Sequence, residues 1–181
     1  MPIVSLADSS VPLPDCLVVD ASLLLVLRSG SRHYHKTSAV SFLQRVASEC
    51  LAGNMICLAP TLVLEECYFK IVQTSIAGLT SSYWHQHYKS NPQVIQQSIP
   101  AITAFYQMVQ ALPVTIVTSE DLALTQPGDT LEERMRHFIS AYNLLPKDAY
   151  ILAVAERLGV NDVATLDSDW QRATQFTVHT C

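Results

Sequence analysis

Four acidic residues stand where a folded chain can turn them toward one point: Asp20 in VVDAS, Glu66 in PTLVLEE, Asp148 in PKDAY and Asp167 in TLDSDW, with Asp169 two positions further on. Carboxylates brought within about 4–6 Å of one another repel, so one must take up a proton or a cation must neutralise them. No Cys or His lies within these segments. An all-oxygen set of this kind favours Mg²⁺ or Mn²⁺ over zinc. Such ions serve phosphoryl chemistry, in which bound water attacks and the charge building on phosphate is stabilised, so the expected reaction is in-line hydrolysis of a phosphodiester. Each acid also has an ordinary structural reading. Asp20 would cap a helix, Asp148 would be a first-turn acid favoured by the helix dipole, and Asp167 with Asp169 would form an Asx turn. Their joint occurrence at the ends of elements favours the shared site.

The elements that must position them can be read in order. CLVVD at 16–20 is a continuous apolar run ending in an acid, which predicts a strand buried on both faces. Ser22 and the apolar residues Leu23 to Leu27 then enter a helix. Residues 1–14 read as a lead-in or edge segment. Val40, Leu43, Val46, Ala47 and Leu51 give a helical stripe stopped by Gly53, and MICLA at 55–59 predicts a second strand. Pro60 opens a helix bearing Glu65 and Glu66. Residues 78–92 lack periodicity and read as a loop or helix tip, followed by a helical pattern over 93–111 interrupted or kinked at Pro100. VTIV at 114–117 is a third strand, and Thr130 with Glu133 forms a capping box that opens the next helix. Pro146 suits the entrance of a helix over Asp148 to Leu158, stopped by Gly159; VATL at 163–166 and FTVHT at 176–180 close the set as strands.

Alternating strands and helices imply an α/β fold: a central, mainly parallel sheet of five strands with helices on both faces. Ligands bind such sheets beyond the carboxyl ends of the strands, where strand order reverses. If the strands ending at Asp20 and Asp167 are neighbours at that reversal, both acids face one crevice. A helix of about ten residues rises roughly 15 Å, so the strand running back from Gly159 returns Asp167 to the level of Asp148.

Composition sets limits on these expectations. The 181 residues, 49% of them apolar, suit one domain spanning 1–181 with a substantial core. No apolar run approaches the length needed to cross a bilayer and the start lacks a signal-like segment, so a soluble, cytoplasmic protein is expected, with no membrane partner. The five cysteines form no CxxC pair, which favours reduced thiols over disulfides or zinc. A net charge of −5 argues against broad electrostatic attachment to nucleic acid, although acids that hold a cation add to that count while the cation meets the phosphate.

Taken together, VVDAS at 18–22, PTLVLEE at 60–66, KDAYILAVAERLGV at 147–160 and VATLDSDW at 163–170 resemble the PIN-domain nucleases, including the toxin ribonucleases of bacterial toxin–antitoxin pairs. The likeness implies a three-layer, Rossmann-like PIN fold and a Mg²⁺- or Mn²⁺-dependent endoribonuclease acting on RNA. Such proteins are often homodimeric and often inhibited by a small antitoxin. Carried over by position, Asp20 resembles the first metal-binding acid and Ser22 the residue that steadies it. Glu66 matches better than Glu65, being six residues after the proline. Asp148 and Asp167 resemble the third and fourth acids, Asp169 a second-line metal ligand and Thr165 a supporting hydroxyl. The chain departs from the shorter toxins in a longer helical insertion around 75–113.

Other residues admit other roles. Arg28, Arg32 and Lys36, in a basic stretch after the first acid, are phosphate-contact candidates against the alternative of a solvated loop. Tyr83, Trp84 and Tyr88 suit either stacking on RNA bases or a subunit interface. The pairs His33/His35 and His85/His87 read as exposed, because residues two apart on a helix diverge. Competing function classes are a catalytically silent binding module of the same fold, a metal-dependent phosphatase, and a glycosyl transferase reading Asp167-Ser168-Asp169 as its metal motif. A haloacid-dehalogenase-type phosphatase would want a second Asp two residues after Asp20, where Ser22 stands.

Overall fold

The computed structural model describes residues 2–28, 36–80, 84–123 and 130–181. Its elements run β1 (Ile3–Ser5), β2 (Cys16–Val19), α1 (Ala21–Leu25), α2 (Lys36–Leu51), β3 (Ile56–Pro60), α3 (Thr61–Thr80), α4 (Trp84–Ser90), α5 (Ile99–Ala111), β4 (Val114–Val117), α6 (Ser119–Ala123), α7 (Leu131–Tyr142), α8 (Pro146–Arg157), β5 (Asp162–Ala164) and β6 (Thr177–Thr180). The strands form one sheet in the order β1-β6-β5-β2-β3-β4, and every pairing is parallel. The fold is therefore α/β, a parallel sheet flanked by helices. The expected five strands are all present. The sixth is β1, which pairs with β6 at the sheet edge. At three residues, with only its middle one partly buried, β1 is too short to carry a readable alternation.

Strand order reverses between β2 and β5, which pair through Val18 with Val163 and Val19 with Ala164. Leu17, Val18 and Val19 have no exposure, as a strand covered on both faces requires. The helix α8 lies deeper than its spacing indicated. Asp148, Ala149 and every residue from Ile151 to Ala155 are buried, so more than one face is covered. It ends in a Schellman motif: Gly159, at φ 71°, donates to the Glu156 carbonyl at 2.9 Å and Val160 to the Ala155 carbonyl at 2.9 Å. That left-handed turn sends the chain back into β5. The Thr130–Glu133 capping box forms as expected at the start of α7.

One expectation for the middle of the chain is corrected and another is narrowed. Residues read as a loop or helix tip are largely helical, because α3 continues to Thr80 and α4 covers Trp84–Ser90. The helix α4 buries none of its residues, so it leaves no apolar stripe to read. Pro100 interrupts the helical pattern rather than kinking it, one of the two expected outcomes. It stands at the second position of α5, where its missing N–H costs nothing, and the stretch before it, Pro92–Ser98, is a 3₁₀ helix.

Candidate active site

The most buried acid of the site is Asp20, directly after β2 and 4% exposed. It caps α1 from an extended conformation. Its Oδ2 accepts from the Ser22 hydroxyl at 2.6 Å, the Thr165 hydroxyl at 2.8 Å and the Ser22 amide at 3.2 Å. Both hydroxyl protons are thereby committed to the acid. The hydroxyl oxygens in turn accept backbone amides from the loop after β5, Leu166 on Ser22 at 2.9 Å and Asp167 on Thr165 at 3.0 Å. This network ties the carboxyl ends of β2 and β5 together and sets where the Asp167 backbone lies. Burial pushes the Asp20 carboxyl above its usual range, and the Ser22 and Thr165 hydroxyls hold it back.

Asp148 occupies the first turn of α8 and is buried, with 9% exposure. Its pKa is raised from 3.8 to about 6, first by burial, then by the charge on Asp20, with Asp167 and Glu66 adding smaller pushes; Trp170 opposes the rise. Trp170 is fully buried and its indole N–H has no partner at hydrogen-bond distance. The nitrogen is thus near enough to Asp148 to favour its ionised form without a formed bond. Asp167 begins the 3₁₀ turn Ser168–Arg172, and its Oδ1 accepts the Asp169 amide at 2.9 Å, so the Asx turn is present as well. Glu66 projects from α3, 3.8 Å from the Lys147 ammonium.

Glu66, Asp148 and Asp167 line one open crevice of about 560 Å³ with Lys70, Leu145, Pro146 and Lys147, a size within the range of ligand sites. Asp20, buried and outside the crevice lining, acts electrostatically on Asp148. Glu65, one position earlier, is exposed and faces a neighbouring groove. Asp169 is placed elsewhere: it pairs with Arg172 at 2.7 Å and does not line the crevice. Arg28 donates to the Thr74 hydroxyl on α3, and Lys36 opens α2. Arg32, His33, His35 and Tyr83 lie outside the described residues. His85 stacks on Trp84. The thiols of Cys16, Cys50, Cys57, Cys67 and Cys181 are free. Among the described residues no helix is long and apolar enough to cross a membrane.

The donor set, carboxylates backed by hydroxyls, fits a hard divalent cation such as Mg²⁺ or Mn²⁺. Among the described residues no three Asp, Glu, His or Cys side chains are close enough together to hold an ion as they stand. In this arrangement Asp20 is held by Ser22 and Thr165, and Lys147 pairs with Glu66. Sequence reasoning missed the residues around the acids: Lys147 and Lys70 on the rim, and Trp170 below. Lys70 falls four residues after Glu66 and Lys147 immediately precedes Asp148, so both signals were present but belonged to the acid motifs themselves.

The fold and site define a parallel α/β domain with an acidic crevice at its topological switch point. Residues 99–175 match the family model of the PIN domain, a segment holding Asp148, Asp167 and Asp169 but not Asp20 or Glu66. In structure the chain is similar to VapC20 from Mycobacterium tuberculosis, a Sarcin-Ricin loop cleaving toxin, at TM-score 0.51 and 15% identity over 87% of this chain and 94% of that one. It is also similar to VapBC2 from Rickettsia felis, bound to a DNA fragment from their promoter, at TM-score 0.49 and 12% identity over 91% and 98%. No curated protein sequence matches significantly. The resemblance to the PIN-domain family is thus borne out, in sequence over the C-terminal part and in fold over most of the length.

Proposed function

We propose that this protein is a Mg²⁺- or Mn²⁺-dependent endoribonuclease that hydrolyses RNA phosphodiester bonds. The observation that carries this reading is the convergence of Glu66, Asp148 and Asp167 on one crevice with Asp20 beneath, at the point where strand order reverses. Glu66, Asp148 and Asp167 would hold the cation from the crevice and Asp20 from below, Ser22 and Thr165 keeping Asp20 oriented. A bound divalent ion would supply activation of water and stabilisation of charge on the phosphate. Asp148, with its pKa raised to about 6, is the member whose protonation changes just below neutral pH, so site assembly favours pH values above that.

Likeness in fold to a toxin supports reading the chain as a toxin; a homodimeric state and inhibition by a small antitoxin protein are proposed with that reading. A second reading, a binding module without activity, is favoured by the Lys147–Glu66 contact and the spread of the acids. Cleavage of a panel of structured and single-stranded RNAs with Mn²⁺ or Mg²⁺ separates the two. The nuclease reading expects products that vanish with EDTA and with Asp148→Asn. Wild-type protein that binds Mn²⁺ yet leaves every RNA intact supports the binding module instead.

A further inference from the structure

The ridge of α3 beside the crevice carries a pattern that the acids do not explain. Glu66, Phe69 and Lys70 stand at i, i+3 and i+4, hence on one helical face, and Thr74 continues that face one turn on. Glu66 and Lys70 line the crevice, while Thr74 accepts a hydrogen bond from the Arg28 guanidinium. Lys147 comes to the same face from α8, its ammonium 3.8 Å from Glu66 and 5.7 Å from the centre of the Phe69 ring. Cations thus follow the ridge outward from the acids: Lys147, then Lys70, then Arg28. Four residues of helix advance about 6 Å, comparable with the step between successive phosphates of an extended strand. In a chain of net charge −5, this line of positive groups runs against the overall balance.

Aromatic rings flank the same line. Phe69 is 46% exposed, which leaves part of its ring accessible to a ligand. Trp84 packs against it in a T-shaped pair, ring centroids 5.6 Å apart at 74°, and His85 stacks on Trp84 at 3.6 Å. These rings come from α4, which buries no residue and so adds little to the core. An exposed Phe69 and a partly exposed Trp84 for base stacking, beside cations for phosphates, meet the physical requirements of a single-strand binding surface.

We infer that the α3–α4 ridge, with Phe69 and Trp84 as stacking surface and Lys70, Lys147 and Arg28 as phosphate contacts, is the track for an unpaired polynucleotide strand entering the acidic crevice. The inference rests on the nuclease reading for what happens in the crevice, but binding along the ridge stands apart from cleavage. A duplex keeps its bases stacked inward and cannot use the rings.

The test is fluorescence anisotropy with a labelled 12-nucleotide single-stranded RNA, the same sequence as DNA, and the RNA duplex. Binding is followed for wild type in EDTA and for Asp148→Asn in Mg²⁺, so that no strand is cut. Single strands are expected to bind more tightly than the duplex, with the RNA and DNA arms showing whether the ribose hydroxyl is read. Phe69→Ala should weaken binding roughly 5- to 150-fold, the effect of losing one stacked base. Lys70→Gln should reduce the slope of log affinity against log salt by about 0.7, one phosphate's worth. Both side chains are exposed, and an unchanged thermal midpoint confirms that the fold is intact. Equal binding of duplex and single strands overturns the inference. So do unaltered affinity in Phe69→Ala together with an unaltered slope in Lys70→Gln, or no binding under either condition. Cleavage that depends on Asp148 without ridge binding would sink the track and spare the nuclease. Ridge binding without cleavage of any RNA would do the reverse.

Discussion

Replacing Asp148 by Asn should stabilise the metal-free protein, and the size of the gain follows from the crevice. An acid whose pKa is higher in the folded state than in the unfolded one binds more protons when folded. Its ionisation therefore costs stability, and the cost is absent below the unfolded value, grows between the two and is complete above the folded one. For Asp148 that window runs from 3.8 to about 6. At about 1.36 kcal/mol per pH unit, the rise sets a ceiling of about 3 kcal/mol. The carboxyl lines the open crevice, so screening reduces this to about 1–2 kcal/mol. An acid in the first helical turn gains about 0.3–1 kcal/mol from the helix dipole, too little to reverse the sign. The assay is urea unfolding of wild type and Asp148→Asn in EDTA from pH 4 to 8. The two should agree near pH 4 and diverge through pH 6, with the variant more stable by about 1–2 kcal/mol at pH 7.5, or about 2–8 °C in Tm. Added Mn²⁺ should then close the gap by stabilising wild type more than the variant. A variant that is no more stable than wild type at pH 7.5, with no trend in pH, would show that the acids do not strain one another, and the argument for a shared site would fail.

Glu66→Gln should weaken Mn²⁺ binding measured by calorimetry, whereas Glu65→Gln, one residue away on a different groove, should leave it unchanged; equal effects would remove the distinction between them. Thr165→Val keeps the shape but withdraws the donor to Asp20 and the acceptor of the Asp167 amide, so it should cost about 1–3 kcal/mol in urea unfolding at pH 7. A loss below about 0.5 kcal/mol would mean that the Asp20 network contributes nothing to joining β2 and β5. Trp170→Phe removes the indole N–H that favours ionised Asp148, so the pH window of the Asp148 effect should move upward; a downward move would contradict the placement of that group.

Much of this architecture could be read from local signals. The capping box at Thr130 and the left-handed stop at Gly159 depend on residues within one turn of each other, so sequence alone determines them. The buried strand Cys16–Val19 is likewise legible, because a strand with helices on both faces must be apolar throughout. The acids at the ends of elements were visible for the same reason, since a turn after a strand is a local event. What the chain could not show was which neighbours those ends acquire. The pairing of β2 with β5 joins residues more than 140 positions apart, and only that pairing brings Ser22 and Thr165 onto one oxygen of Asp20. Asp169 matched its motif as well as Asp167 did, yet the 3₁₀ turn aims it at Arg172 instead of the crevice. Strand β1 and helix α4 escaped notice because neither buries enough apolar surface to impose a period. Periodicity records what a segment hides from water, and so the core was written in the sequence, while the cations and rings around the crevice, which remain in water, were placed by tertiary packing alone.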